Sequence, residues 1–192
     1  IDGYLCELKD AQIKDGLHTL GETPAGDQMI GLLSNLTRLQ NSKQIPSLRG
    51  ALAQALGLDY GNLLENPGTP ANGNIPGVLA ELDVETPART QGDLLERLET
   101  LGRLALTQLL ETNFLPSKVP SVVRRVLGKA DAATQTVLSF VAGTVYPALL
   151  KTPDEIDNLI KGLEGRFVPP GPSGAPTRGM ANILPTGRNF YS

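Results

Sequence analysis

His18 is the only histidine in 192 residues, so any imidazole acid–base or metal-ligating chemistry in this chain falls on it. At helical spacing it shares a face with Glu7, Ala11, Lys14 and Glu22, and Asp15 lies one turn back. Glu7 or Glu22 would be the partners of a proton relay or the further ligands of a metal ion. A lone histidine on so charged a face is ordinarily just solvated, and the spacing alone leaves both readings open. A second set of residues lies at the other end. After Glu164 the charged side chains are Arg166, Arg178 and Arg188, with no carboxylate among them, and Phe190 and Tyr191 follow. Proline restricts φ, glycine permits tight turns, and guanidinium groups offer planar, bidentate donors to carboxylates. That combination suits a shaped, anion-contacting loop. A proline-rich linker whose arginines pair with acidic helices of the same chain would have the same composition.

Other chemistries find no foothold. The chain has no GxSxG, HExxH or GxxxxGK[ST], and GPSGAPTRG lacks the lysine and the strand-to-helix setting of a phosphate loop. Cys6 is the single cysteine, which excludes an intrachain disulfide and a cysteine-rich zinc site and fits a reducing cytoplasm. A formal charge of -3 without a basic stripe argues against nucleic acid. The most apolar stretch, Val137 to Leu150, is too short for a spanning helix and contains Pro147, so no membrane span is expected.

The elements that must position these residues read as helices. Leu5, Leu8, Ile13, Leu17 and Leu20 predict a helix over 3–20, with Asp2 as N-cap and Gly21 just past its end. Met29, Leu32, Leu33, Leu36 and Leu39 predict a second over 27–40, and shorter ones fit 47–56 and 60–65. Residues 66–77 read as a surface excursion and 78–84 as a turn. The longest helix runs through TQGDLLERLETLGRLALTQLLETNF, with Leu94, Leu98, Leu101, Ala105 and Leu109 on one face and Arg97 and Arg103 toward water. Pro116 and Pro120 separate it from SVVRRVLG, and an apolar helix over 131–150 is open to a kink at Pro147. The last helix, ending near Gly165, opens with Thr152 as N-cap, Pro153 at the first helical position and Glu155 as the capping-box acid. The class is all-α: a multi-helix region over 1–165 and an ordered, irregular Pro/Gly/Arg-rich loop segment over 166–192. Ile1 is no initiator methionine, and the whole reads as an internal piece of a longer polypeptide.

Three stretches carry a family likeness. YLCELKDAQIKDGLHTLGE (Tyr4 to Glu22), VPPGPSGAPTRG (Val168 to Gly179) and LPTGRNFYS (Leu184 to Ser192) resemble the large subunit of aerobic cobaltochelatase, CobN, a family related to the porphyrin-binding H subunit of magnesium chelatase. The resemblance implies a cytoplasmic subunit of well over a thousand residues. Such a subunit binds a tetrapyrrole and inserts a divalent metal, cobalt into hydrogenobyrinic acid a,c-diamide, while AAA+ ATPase and MIDAS-type partner subunits hydrolyse ATP with its magnesium. The partners would then be the remainder of the large subunit, those ATPase subunits and the tetrapyrrole. The metal, cobalt or magnesium, would be substrate, and this piece would hold no cofactor or resident metal of its own and be inactive alone. Within it, His18 and Glu7 are the candidates for proton relay or metal delivery, Arg178 and Arg188 for substrate carboxylates, and Phe190 and Tyr191 for packing on the macrocycle. Two alternatives stand beside this: a magnesium chelatase H-like piece acting on protoporphyrin IX, and a non-catalytic helical module over 27–165 that contacts the ATPase subunits.

Overall fold

The computed structural model describes residues 19–71, 75–82, 87–174, 176 and 179–191, with the backbone alone for Phe190 and Tyr191. The helix expected over 3–20 lies almost wholly outside the described residues. The class is all-α. Two compact units form: one from Ile1–Leu36 and Val145–Ser192, whose described part starts at Thr19, and one from Thr37–Thr144.

Helix α1 is Gly26–Thr37. Met29, Ile30, Leu33 and Leu36 are buried, whereas Leu39 lies beyond the helix end and is exposed, as is Leu20. Both had been expected on apolar stripes. Helix α2 (Leu48–Ala55) begins at Ser47, whose hydroxyl accepts from Gly50 N, and α3 (Tyr60–Glu65) begins at Asp59, which accepts from Asn62 N. A short helix, α4 (Gly77–Ala80), replaces the expected turn.

The longest helix, α5, is Gln91–Glu111. Thr90, extended at φ -121 and ψ 166, accepts from Asp93 N, and the Asp93 carboxylate accepts from Thr90 N in a reciprocal capping box. Backbone N–H groups of Thr90 and Arg89 hold the Asp93 carboxyl below the usual carboxylate range. The excursion before α5 supplies two more acceptors, since Gln91 N donates to Thr69 O and Gly92 N to Pro67 O. These bonds satisfy first-turn donors that a helix leaves open. At the far end Phe114 N donates to Leu109 O and Asn113 N to Leu110 O, a Schellman closure with Asn113 and Phe114 both at φ 53. Phe114 is therefore outside the helix, yet buried beside the core.

Arg97 does not face water. It is buried on the Leu94–Leu98–Leu101 face, and its Nη1 donates to Leu79 O at the end of α4. A C-terminal helix carbonyl lacks an intrahelical donor, and a guanidinium is a strong one. Arg103 is exposed as expected. Helix α6 (Val119–Leu127) includes Pro120 in its first turn, where a missing N–H costs nothing, and closes on Gly128 at φ 70. Helix α7 (Ala132–Phe140) is capped by Asp131. Within this unit α2 packs against α5 and α7, α6 against α5 and α7, and α3 against α5. A methyl on Gly102 would stand 3.3 Å from Leu48 Cδ2, so the missing side chain lets α2 and α5 approach.

The apolar helix expected over 131–150 runs on from α7 to Leu149 with a widened turn inside it. Val141–Val145 is a π turn, and Tyr146–Leu149 forms α8. Pro147 removes the donor that the Gly143 carbonyl would use, so the ladder widens there. Helix α9, Asp154–Leu163, ends in a second Schellman closure at Gly165, φ 70, with Arg166 N donating to Lys161 O. Its start departs from expectation. Thr152 Oγ1 donates to Leu149 O at 2.6 Å, Glu155 N donates to Thr152 O, and the N-cap residue is Pro153, without a side-chain cap. Among the described residues no single helix is long and apolar enough to cross a membrane.

Candidate functional site

The segment after Gly165 closes on itself. Strand β1 (Pro170–Pro172) pairs in parallel with β2 (Asn189–Tyr191), with Gly171 opposite Phe190. Such a pair has no room for a hairpin turn and needs a crossover. The intervening residues supply it, and they include a 3-10 turn at Ala181–Ile183. Asn189 adds two ties, from its N to Pro169 O and from its Nδ2 to Val168 O. Val168, Ile183 and Leu184 are buried beneath the loop.

Arg188 braces the crossover. Its Nε donates to Pro185 O at 2.9 Å, and its Nη2 donates to Ile183 O at 3.0 Å and Leu184 O at 3.4 Å. The guanidinium lies on the backbone of Gly171, where a methyl would stand 2.5 Å from Nε. Among the described residues Nη1 has no protein acceptor. A side-on carboxylate would need Nε and Nη2 together, and both are engaged with carbonyls. Arg188 thus shapes the loop through Nε and Nη2. Arg166, by contrast, is exposed and pairs with Glu164, an arrangement worth little in water.

A cavity of about 190 Å³ lies between Pro172 and Gly174 on one side and Ile183, Pro185, Gly187 and Arg188 on the other. Small-molecule pockets usually measure about 300–1,000 Å³, so this cavity is smaller than most. A larger depression of about 610 Å³ belongs to the other unit and is lined by Pro46, Gly50, Gln54, Tyr60 and Leu64 among others. It gathers little acid–base chemistry.

His18, Glu7 and Arg178 lie outside the described residues, and the side chains of Phe190 and Tyr191 are likewise undescribed. Strand β2 places the last two beside β1 in register. Among the described residues no three His, Cys, Asp or Glu side chains converge on a metal site. Residue types alone had not singled out Gly171 and Gly187, on which the loop's shape depends. Gly187 stands at φ 75, and a methyl there would meet Glu155 Cγ at 2.6 Å and Glu155 Cα at 2.7 Å. A glycine between Thr and Arg after a proline is the signal for that turn in the sequence. Glu155 itself, read as a capping acid, is 3% exposed and accepts from Gly21 N through Oε2 at 2.9 Å.

The family model for CobN/Magnesium Chelatase matches residues 1–192. The chain belongs to that family. This CobN/magnesium chelatase chain is 40% identical over 196 residues to the aerobic cobaltochelatase subunit CobN of Pseudomonas aeruginosa, covering 100% of the chain and 15% of that protein. It is 35% identical over 218 residues to the CobN subunit of Sinorhizobium sp, covering 100% of the chain and 16% of the relative. The chloroplastic magnesium-chelatase subunit ChlH of Oryza sativa subsp. indica is more distant, 24% identical over 208 residues, with 98% of the chain and 14% of the relative covered. Among solved structures, the catalytic subunit of cobaltochelatase from Mycobacterium tuberculosis matches with a TM-score of 0.63 and 35% identity, over 93% of this chain and 12% of that one. The CobN/magnesium chelatase chain therefore spans less than a fifth of the length of these proteins.

Proposed function

We propose that the chain is one region of a chelatase large subunit that binds a tetrapyrrole and inserts a divalent metal into it. The observation that carries this reading is the family match over residues 1–192. Cobalt is preferred as the metal substrate and hydrogenobyrinic acid a,c-diamide as the ring, because the cobaltochelatase subunits are 40% and 35% identical and the magnesium-type subunit 24%. Partner subunits of the AAA+ and MIDAS types would supply ATP hydrolysis.

Metal insertion requires stripping water from the ion, removing two pyrrolic protons and holding a ring with carboxylate side arms. In this reading Arg178 offers the bidentate grip on a side arm, and the cavity beside Arg188 receives such an arm with Nη1 as donor. Phe190 and Tyr191 pack on the ring, and His18 with Glu7 moves protons or delivers the metal.

Titration of the intact polypeptide with hydrogenobyrinic acid a,c-diamide, followed by fluorescence quenching, tests the grip. Arg178→Ala weakens binding by about tenfold, the value of one charge-assisted pair. Unchanged affinity removes Arg178 from the site. Insertion assays with the ATPase partners test the rest: His18→Ala lowers the turnover for cobalt, and a preference for magnesium with protoporphyrin IX would overturn the choice of metal.

A further inference from the structure

Helix α9 inverts the usual pattern of burial. Ile156, Leu159, Ile160 and Leu163 are 44–81% exposed, while the one residue it buries is an acid, Glu155. Burying a carboxylate is unfavourable unless hydrogen bonds and local dipoles compensate. Here the first turn of a helix provides the positive end of the dipole, and Gly21 N provides a donor at 2.9 Å. Gly21 lies three residues after His18, at φ 75, where a methyl would meet Ile156 Cδ1 at 2.5 Å. Gly187 lies one residue before Arg188, also at φ 75, where a methyl would meet the Cγ, Cα and Cβ of Glu155 at 2.6, 2.7 and 2.9 Å. Two left-handed glycine turns, one from each end motif, therefore abut the same turn of α9.

We infer that Glu155 is a positioning residue that ties the chain just after His18 to the turn just before Arg188. Its carboxylate holds the first by a hydrogen bond, and its backbone and side-chain stem seat the second by close packing. The spacing between the two motifs is then set by one side chain instead of by the many residues separating them in sequence. The functional half of this inference rests on the chelatase reading, because it assigns the tie to alignment of the metal-inserting residues.

The test compares Glu155→Ala with Glu155→Gln in the intact polypeptide. The amide oxygen of Gln can accept from Gly21 N and its stem keeps the packing, so a tie survives in Gln and is lost in Ala. Hydrogen exchange of peptides covering 19–24 and 184–189 reads the tie directly: Ala lowers protection in both by about tenfold, and Gln leaves it near wild type. Metal insertion with the ATPase partners reads its consequence: Ala lowers kcat by about tenfold to a hundredfold, with a smaller change in KM for the tetrapyrrole, and Gln restores most of it. Unchanged exchange in Ala overturns the inference whatever the activity. Altered exchange with normal kcat overturns the positioning role, as does a Gln variant as inactive as Ala, which would make the carboxylate a direct participant. If the wild-type polypeptide neither binds tetrapyrrole nor supports insertion, the chelatase reading fails by itself, and the exchange data still decide the tie.

Discussion

Thr90 and Thr152 each precede a carboxylate by three residues at the start of a helix, and in sequence the two sites look alike. At Thr90 the backbone is extended, φ -121 and ψ 166, so the hydroxyl turns onto Asp93 N and the Asp93 carboxylate returns to Thr90 N. At Thr152 the chain arrives already coiled. Pro153 is at φ -57 and ψ -25, and Asp154, Glu155 and Ile156 donate to the carbonyls three residues before them. Glu155 N is thereby satisfied by Thr152 O, and the Thr152 hydroxyl turns back to Leu149 O. The Glu155 carboxylate, in turn, accepts from the distant Gly21 N. A threonine with an acid three residues on closes a helix in one place and binds a distant segment in the other, and the entry angle of the chain goes with the difference.

The strongest way to break the comparison is Gly187→Ala. An added methyl would stand 2.7 Å from Glu155 Cα, a backbone atom that cannot rotate away, and φ 75 disfavours any side chain. Strain and overpacking together should cost about 2–4 kcal/mol. Hydrogen exchange across 184–189 should rise accordingly, while the first turn of α5 keeps its protection. Equal protection in the variant would mean that the turn does not press on α9.

Exchanging the two acids for each other sharpens the contrast. Glu155→Asp withdraws the carboxylate by one methylene and leaves Gly21 N without it, a loss of about 1–2 kcal/mol in local opening. Asp93→Glu should be nearly neutral, since a longer acid also closes a capping box. Protection measured at Gly21 and at Thr90 in the two variants decides the matter, and equal sensitivity at both sites would return Glu155 to the role of a local cap.

This pair also marks what the sequence can and cannot convey. Helices with an apolar residue every third or fourth position, such as Gly26–Thr37, Leu48–Ala55 and Tyr60–Glu65, are legible because their signal is local. The family is legible from its end motifs. Arg97 was misplaced because its acceptor, Leu79 O, belongs to a helix of four residues with almost no periodic signal. Phe114 looked helical because only the closure by Asn113 reveals that the helix stops at Glu111. Glu155 was the hardest to read, with a hydrogen-bond partner 134 residues away in the chain. Arg188 is conspicuous by residue type, but its grip on Ile183, Leu184 and Pro185 arises from a crossover that residue types do not specify.

The smallest expected effects lie at the ordinary cap. Thr90→Ala should cost about 1 kcal/mol, the usual value of an N-cap hydroxyl, seen as faster exchange of the first α5 amides. Asp93 adds a pH dependence of definite sign. Its folded pKa is lowered, chiefly by the backbone N–H of Thr90 and then that of Arg89. Its contribution is therefore fully present above the ordinary carboxylate range and is lost as pH falls through the lowered folded value. Exchange of the Gln91–Leu94 amides, corrected for intrinsic rates, should accelerate only in that acid window. Asp93→Asn should flatten the profile, because the amide can still accept from the backbone but no longer titrates. A profile that persists in the Asn variant would assign the titration to another group and leave the Thr90 box held by the hydroxyl alone.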